Sequence, residues 1–197
     1  MSAENPPTKK LPRAQRREQI LGAATLLFAD SGYAAVGLEQ VAAAAGVSRV
    51  ILYRHFDSKA ELFRAGLDRA ARSLAEASGE ELTEAGAETL LTWASHNTAE
   101  FRLLFERAAR EPLFQADIDA LRDDMTAAVY RQLGAEIPDE RWARWAARLS
   151  LGFTVEAVMA WLAVGAPEPA RAAGLINATL RALFDATQHA HSPKANG

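Results

Sequence analysis

Several side chains between residues 37 and 59 have chemistry that suits contact with DNA. Arginine can donate two hydrogen bonds to a guanine edge, and valine and isoleucine can contact the methyl group of thymine. Tyrosine, histidine and lysine can contact phosphates, which positions a protein without reading the base sequence. The candidate DNA-contacting residues are Gly37, Leu38, Arg49, Val50, Ile51, Tyr53, Arg54, His55 and Lys59.

Two short helices joined by a tight turn are predicted to position these side chains. The first runs from Leu38 to about Ala45 and the second covers Arg49–Phe56. Gly46 is predicted to end the first helix because it adopts left-handed backbone without a Cβ clash, and Ser48 is predicted to cap the second. This pattern indicates a helix-turn-helix, whose second helix can lie in the DNA major groove. The alternative is a helical hairpin that packs only against itself.

The apolar residues of this region predict a three-helix core. A preceding helix is expected from about Pro12 or Arg13 to Asp30, with Ser31 and Gly32 ending it. Leu52 and Phe56 are four residues apart on one face of the last helix, so they can stack toward the other two. The matching stripes on the other two helices are Ile20, Ala24, Leu27 and Phe28, and Leu38, Val41, Ala42 and Ala45.

Residues on both sides of the hairpin recur at the spacing of a known domain. They are Arg16, Arg17, Ile20, Leu21, Ala23, Ala24, Leu27, Phe28, Gly32 and Tyr33, followed by Gly46, Val47, Ser48, Leu52, Tyr53, His55, Phe56, Ser58, Lys59 and Leu62. From about Arg13 to Gly66 the chain resembles the DNA-binding domain of the tetracycline-repressor (TetR) family. The resemblance implies an all-α fold with an N-terminal helix-turn-helix domain and a C-terminal helical domain for ligand binding and dimerisation. Beyond Gly66 only the helical character matches.

The chain departs from the family pattern at two places. The family usually has Thr or Ser where this chain has Gly37, so a hydroxyl contact to phosphate is lost here. It often has a small residue and a Thr where this chain has Val50 and Ile51. Two β-branched apolar residues point to thymine contacts or to weaker direct readout.

Charge is distributed unevenly along the chain. The net charge of the 197 residues is −3, but the first 60 residues hold eight basic and five acidic residues, or +3, and the rest hold 14 and 20, or −6. A local basic face matters more for phosphate binding than the total charge does. The segment from Lys9 to Arg17 fits either a DNA-contacting arm or a solvated tail.

The sequence predicts two domains and two disordered ends. Residues 1–12 form an arm, residues 13–57 the helix-turn-helix domain, residues 58–191 the effector-binding and dimerisation domain, and residues 192–197 a tail. Ser58 with Glu61 is a capping-box pattern that starts a long connecting helix, which runs to about Ala77. The further predicted helices are Leu82–Asn97, Thr98–Arg110, Asp117–Leu133, Pro138–Val164 and Glu168–His189.

Large apolar residues on different helices of the second domain are candidates for an effector pocket. Each alone fits an ordinary core position, but a helical domain attached to a DNA reader often encloses a cavity for an apolar effector. Glu156 stands alone in an apolar stretch, and a buried carboxylate must be paired. It could meet an effector or an arginine across a subunit interface. The candidate ligand-binding residues are Trp93, Phe101, Phe105, Phe114, Met125, Phe153 and Glu156.

The last two helices are apolar on broad faces. Across a two-fold axis they would form a four-helix bundle and hence a homodimer, as the TetR resemblance implies. The alternative is that the same faces close the core of the monomer. The residues concerned are Trp142, Trp145, Leu149, Val155, Val158 and Trp161 on one helix, and Leu175, Ile176, Leu180, Leu183 and Phe184 on the other.

Several function classes find no support in the sequence. The chain has no cysteine, its four histidines lack metal-ligand spacing, and no glycine-rich phosphate loop occurs, so we predict no enzyme, metal or cofactor. No apolar run reaches the ~18 residues of a membrane helix, and the N-terminus lacks a secretory signal, so we expect a cytoplasmic protein. The sequence therefore predicts a dimeric, effector-released repressor that binds a double-stranded operator. The alternative is a helical protein-interaction module without DNA binding.

Overall fold

The computed structural model describes residues 11–78, 86–133 and 137–189, and within these ranges it contains helices and no strand. The predicted all-α fold class is confirmed. The chain divides into two compact units, Met1–Gly66 and Leu67–Gly197. This boundary lies later than the one predicted after residue 57, because the first turns of the connecting helix belong to the first unit. The predicted tail and most of the predicted arm lie outside the described residues.

Within the described residues, four helices build the first unit around one apolar core. They are α1 (Arg13–Ala35), α2 (Leu38–Ala44), α3 (Arg49–Tyr53) and the start of α4 (Lys59–Ser78). The predicted core is confirmed except that Leu27 and Leu38 are only half-buried. The start of α4 adds Leu62 and Phe63, both fully buried. The ring of Phe63 meets those of Phe28 and Tyr33 edge-on, at 5.0 and 5.2 Å between centroids.

Two helix boundaries differ from the sequence prediction. Gly32 does interrupt α1, with φ +80° and ψ 167°, but helical backbone resumes after this kink as far as Ala35. Helix α3 ends at Tyr53 rather than Phe56. The backbone N–H of Phe56 still donates to the carbonyl of Leu52 at 3.1 Å, so the chain continues as a turn. Ser58 then caps α4, which begins at Lys59.

The start of α4 is capped as predicted by Ser58. Its hydroxyl accepts a hydrogen bond from the N–H of Glu61 at 3.1 Å. The carboxylate of Glu61 in turn accepts from the N–H of Asp57 at 2.6 Å, one residue before the position that a regular capping box uses. Two otherwise free backbone donors are thereby satisfied, which fixes the start of this helix.

Five further α-helices are described in the second unit. They are α5 (Gly86–His96), α6 (Thr98–Arg102), α7 (Gln115–Leu133), α8 (Glu140–Ala163) and α9 (Pro169–His189). The prediction of one α-helix over Thr98–Arg110 was wrong. After α6 the backbone widens into a π-helical turn, Leu103–Arg107, and then tightens into 3-10 turns. The start of the helix predicted from Leu82 lies outside the described residues.

Local contacts fix both ends of α8. Asp139 caps its N-terminus by accepting hydrogen bonds from the N–H groups of Arg141 at 2.9 Å and Trp142 at 3.3 Å. Gly165, with φ +89°, lies just past its C-terminus. The indole N–H of Trp161 then donates to the carbonyl of Pro167 at 2.7 Å, which holds the turn into α9.

By length and composition, α8 could also cross a membrane. It has 24 residues and a mean hydropathy of 1.3 in its most apolar 18-residue window, which the sequence-based expectation overlooked. Only 28% of that window is buried in the chain. A core or interface helix of a water-soluble protein meets the same criterion. One face of α8 buries Ala143 and Ala146 together with Ile137, and Tyr130 and Phe184 pack against them, so this face belongs to the core of the chain.

Candidate nucleic-acid interface and effector region

The turn between α2 and α3 has the geometry that the sequence predicted. Gly46 has φ +62°, and no heavy atom lies within 4 Å of a Cβ built there, so the need for glycine is conformational. The N–H of Val47 donates to the carbonyl of Ala42 at 2.9 Å and that of Gly46 to Ala43 at 3.0 Å, which satisfies the end of α2. Ser48 accepts a hydrogen bond from the N–H of Ile51 at 3.3 Å and caps α3.

Helix α3 has one buried face and one exposed face. Leu52 is fully buried, whereas Val50 is 63% and Tyr53 is 45% exposed. Arg49 and Arg54 are exposed as well, and Ile51 is half-buried. Large apolar and aromatic side chains left in solvent beside arginines have no role in the core. The arrangement can place base-reading and phosphate-contacting groups on one surface.

The side chain of Arg49 is paired in the free protein. Its Nη1 lies 2.5 Å from Oε1 of Glu39, which belongs to the first turn of α2. The sequence prediction missed Glu39. Its only signal was that it is the single acidic residue between Asp30 and Asp57, and the ten-residue separation from Arg49 hid the contact until the turn geometry was known.

Lys59 is less available for phosphate contact than predicted. Its ammonium lies 4.3 Å from the centre of the Tyr33 ring, and it donates to the carbonyl of Ala34 at 3.4 Å. The first contact is a cation–π interaction, and the second satisfies a carbonyl near the end of α1. Lys59 therefore joins α4 to α1, and a phosphate would have to compete with these contacts.

His55 also differs from the prediction, because its Nδ1 atom is buried and has no hydrogen-bond partner. Burial lowers the pKa of His55 below 6.5, and the positive charges of Arg13, Arg17 and Arg16 lower it further. The guanidinium of Arg17 also stacks 4.7 Å from the centre of the Phe56 ring. The neutral form of the imidazole is therefore favoured. The arginines of the first turns of α1, rather than His55, supply positive charge beside it.

Gly37 and Leu38 begin α2. Gly37 is exposed and extended, with φ −94° and ψ 152°, which any residue adopts. Its N–H donates to the side-chain oxygen of Gln40 at 2.6 Å, and a Cβ at Gly37 would lie 3.5 Å from that oxygen. A serine or threonine therefore fits here without strain. Leu38 is half-buried, so its side chain belongs partly to the core.

The predicted effector-binding residues fall into three groups. Trp93, Phe101, Phe105 and Phe114 are buried, as expected if each fills an ordinary core position. The rings of Phe101 and Phe105 are 4.8 Å apart, and that of Trp93 lies 6.3 Å from Phe101. Met125 and Phe153 are half-buried and Glu156 is exposed. The expectation that Glu156 is buried is therefore wrong for the single chain, because no other helix in the described part of the chain covers its face of α8.

A groove of about 500 Å³ lies beside the aromatic cluster in the second unit. Of the predicted ligand-binding residues it contains only Trp93, whose indole N–H donates to the hydroxyl of Ser73 at 3.0 Å. The groove is open to solvent and has a mixed lining. The lining residues are Ala77, Glu88, Thr89, Thr92, Trp93, His96 and Asn97.

A charged cluster lies on the π-helical turn next to the aromatic residues. Burial by itself would raise the pKa of Glu106, but a hydrogen bond from Arg102 at 3.0 Å and the charges of Arg102, Arg107 and Arg110 lower that pKa below its ordinary value. Glu106 therefore stays ionised. No group of three or more potential metal ligands occurs among residues 11–78, 86–133 and 137–189.

The two predicted dimer faces are partly exposed and partly core. Trp142, Trp145 and Leu149 are 41–47% exposed on α8, and Leu175 is 63% exposed on α9. The two tryptophan rings meet edge-on at 5.4 Å. By contrast, the remaining predicted residues are buried or half-buried within the chain: Val155, Val158, Trp161, Ile176, Leu180, Leu183 and Phe184. The alternative of a monomer core thus applies to that part of each face.

Comparison with known proteins points to one family. The family model described as bacterial regulatory proteins, tetR family, matches residues 20–65. The HTH-type transcriptional activator FasR of Mycolicibacterium smegmatis is 35% identical over 131 residues, which are 61% of this chain and 60% of FasR. An uncharacterized HTH-type transcriptional regulator of Mycobacterium tuberculosis is 31% identical over 67% of this chain and 71% of its own length. A TetR-like transcriptional regulator from Rhodococcus sp. RHA1 superposes with a TM-score of 0.75 and 25% identity, over 87% of this chain and 97% of that one.

Proposed function

The chain belongs to the tetR family of bacterial regulatory proteins, and from this premise we propose that it binds operator DNA as a homodimer and regulates transcription in the cytoplasm without catalysing a reaction. The observation that carries the proposal is the exposed face of α3. Val50 and Tyr53 stand in solvent beside Arg49 on a short helix that is capped and held by a buried leucine. Such a surface matches the major groove in size and chemistry.

The proposed contacts follow from where each side chain lies. Arg49 reads a guanine edge, and Val50 and Ile51 contact thymine methyl groups. Tyr53 and Arg54 contact phosphates and set the position of α3 on the duplex. Gly37, Leu38, His55 and Lys59 lie at the edges of this surface and contribute less, because they are small, half-buried or already bonded.

The proposed dimer uses the exposed parts of α8 and α9. Trp142, Trp145, Leu149 and Leu175 are large apolar side chains that remain exposed in the described chain. A homodimer carries two copies of α3, as the two half-sites of a palindromic operator require. The exposed Glu156 would then lie at or near the interface, where an arginine of the second copy can pair with it.

The proposed effector is small and largely apolar. The aromatic cluster of Trp93, Phe101 and Phe105 lies next to a π-helical turn, a backbone form that is frequent at functional sites. Helix α4 runs without interruption from the first unit into the second and can transmit a change between them. An effector shifts the equilibrium between DNA-fitting and splayed states only by its differential affinity, typically ~1–3 kcal/mol.

Whether binding represses or activates transcription depends on where the operator lies in a promoter. The sequence led us to expect repression, whereas FasR is named as an activator. A promoter–reporter assay with and without the protein measures this sign directly. Lower reporter output in the presence of the protein would support repression. Higher output would indicate activation instead.

The test of DNA binding is a fluorescence-anisotropy titration with DNA flanking the gene of this protein, at several salt concentrations. We expect tight, selective binding that weakens steeply with salt, because bound phosphates release counterions. Arg49→Ala should weaken operator binding by about 5- to 150-fold, the value of one bidentate base contact. Arg122→Ala is the matched control, since Arg122 is an exposed arginine on α7.

The competing proposal is a helical protein-interaction module. It predicts weak, equal binding to all DNA and no effect of Arg49→Ala or Tyr53→Phe. A selection from random-sequence DNA separates this alternative from an operator located elsewhere in the genome. If the selection enriches no sequence, the regulator proposal is refuted.

A further inference from the structure

Glu39 and Arg49 form an ion pair on the surface proposed to face DNA. Glu39 lies in the first turn of α2 and Arg49 begins α3, so the pair spans the turn between the two helices. Arg49 Nη1 and Glu39 Oε1 are 2.5 Å apart, and the side chains are 59% and 69% exposed. The proposed function uses Arg49 but leaves Glu39 without a role.

Stability does not account for this pair. An ion pair between two exposed side chains contributes little to folding, because water competes for both charges and salt screens them. A carboxylate on a DNA-facing surface also repels phosphates, which lowers affinity for every sequence. The position of Glu39 is therefore unfavourable for general DNA affinity. It is useful only if Glu39 improves discrimination between sequences.

We propose that Glu39 is a positioning residue that makes Arg49 selective for guanine, an inference that rests on the proposed DNA binding. A guanidinium has two edges with paired donors. With Nη1 held by Glu39, the edge formed by Nε and Nη2 remains available, and its two parallel N–H groups match the O6 and N7 acceptors of guanine. Holding the arginine in the free protein also reduces the side-chain freedom lost on binding.

The same pair disfavours sites that lack the guanine. There, Arg49 gains a partner only by leaving Glu39 for a phosphate. The carboxylate of Glu39 would then face the negative DNA without its cation. Glu39 should therefore weaken binding to wrong sequences more than binding to the operator, which increases the ratio between the two.

The experiment compares wild type, Glu39→Gln, Arg49→Ala and the double variant on an operator obtained by random-sequence selection. Each guanine of the operator is replaced in turn, and affinities are measured by anisotropy at fixed salt. We expect Glu39→Gln to reduce discrimination at one base pair by about 5- to 10-fold and to tighten binding to unrelated DNA by about 3- to 10-fold, since one phosphate-repelling charge is removed.

The double variant tests whether Glu39 acts through Arg49. In the Arg49→Ala background, Glu39→Gln should no longer change discrimination at that base pair. With Arg49 present, Glu39→Asp keeps the charge and should retain part of the discrimination that Glu39→Gln loses. Asp30→Asn is the matched control, since Asp30 is an exposed carboxylate on α1 and its loss changes net charge equally.

Three results would overturn the inference. Glu39→Gln could act equally on all sequences, as Asp30→Asn should, which would make Glu39 a general electrostatic term. It could change base preference just as strongly without Arg49, which would mean that Glu39 itself reads a base such as cytosine through its amino group. Finally, a wild-type protein that selects no sequence would refute the proposed function first and this inference with it.

Discussion

Replacing Trp145 by alanine should dissociate the proposed homodimer. Trp145 is 47% exposed in the single chain, and its ring meets the Trp142 ring edge-on at 5.4 Å. A dimer that covers both rings would remove this surface from water. The substitution occurs in both copies, so its effect on association is doubled.

The magnitude can be worked from the exposed fraction. A tryptophan side chain offers roughly 250 Å², so the exposed part of Trp145 is roughly 115 Å². At about 25 cal/mol per Å² its burial contributes about 3 kcal/mol, and the alanine that replaces it retains roughly a third of that. The loss is then about 2 kcal/mol per copy and about 4 kcal/mol per dimer, which corresponds to a dimer Kd roughly a thousandfold higher.

Sedimentation velocity across a range of concentrations, supported by light scattering, measures this Kd. Leu26→Ala is the control, because Leu26 is a 64% exposed apolar residue on α1, outside the proposed interface. Circular dichroism should show both variants folded. If Trp145→Ala dimerises as tightly as the wild type, the exposed tryptophans are not the interface, and the reasoning from uncovered apolar area is refuted.

Four further predictions concern the helix-turn-helix unit. Ser48→Ala should lower the free energy of unfolding by about 1 kcal/mol in urea titrations because the cap of α3 is lost, and Ser48→Asp should retain most of it; equal loss in both would contradict the capping role. Gly46→Ala should cost about 1–2 kcal/mol, since φ is +62° and alanine is strained there, with Gly46→Asn costing less; a neutral Gly46→Ala would show that the turn relaxes. Gly37→Ser should raise the free energy of unfolding by a few tenths of a kcal/mol and tighten DNA binding, because a hydroxyl fits at the cap and can reach a phosphate. Weaker DNA binding would refute this prediction. The pKa of His55 is lowered in the folded protein, so the unfolded chain binds the proton more readily. The contribution of His55 to stability is therefore complete above pH 6.5 and is lost as the pH falls below that value. His55→Gln should flatten that part of the stability profile, and an unchanged profile would exclude His55 as its source.

Local chemistry was sufficient to predict the turn and the caps. Gly46 and Ser48 act on neighbouring backbone groups, and so does Ser58 at the start of α4. Their partners are within a few residues in the chain, so residue type and spacing determine the contact. The exposed surface of α3 followed equally directly, because the position of Leu52 in the core settles which face of a five-residue helix is left for solvent.

Boundaries and backbone type were not predictable in the same way. The helix predicted over Thr98–Arg110 is rich in good helix formers, yet its backbone changes from α to π at Leu103. The π-helical turn buries Leu103, Leu104 and Phe105 at the same time, and residue propensity does not report such tertiary packing. The kink of α1 at Gly32 was signalled, but the helical turn that follows it was not.

An amphipathic pattern shows that a face is apolar but not which surface covers it. Trp145 and Trp161 belong to the same helix and to the same predicted face, yet the first is 47% and the second 7% exposed. Glu156 was expected to be buried because its neighbours are apolar, and it is exposed because no other described helix of the same chain covers it. The ion pair of Glu39 with Arg49 was hidden for a related reason, since residues ten positions apart meet only after the turn has folded.

The sequence by itself determined the family, the all-α fold, the helix-turn-helix and the residues that α3 can offer to DNA, because all of these depend on short-range spacing and on residue type. Only the tertiary structure decided which of these residues are free. It placed the cation of Lys59 over an aromatic ring, buried one nitrogen of His55 and paired Arg49 with a carboxylate. These contacts join groups that are distant in the chain, and their distances follow from the packing of whole helices rather than from any local pattern.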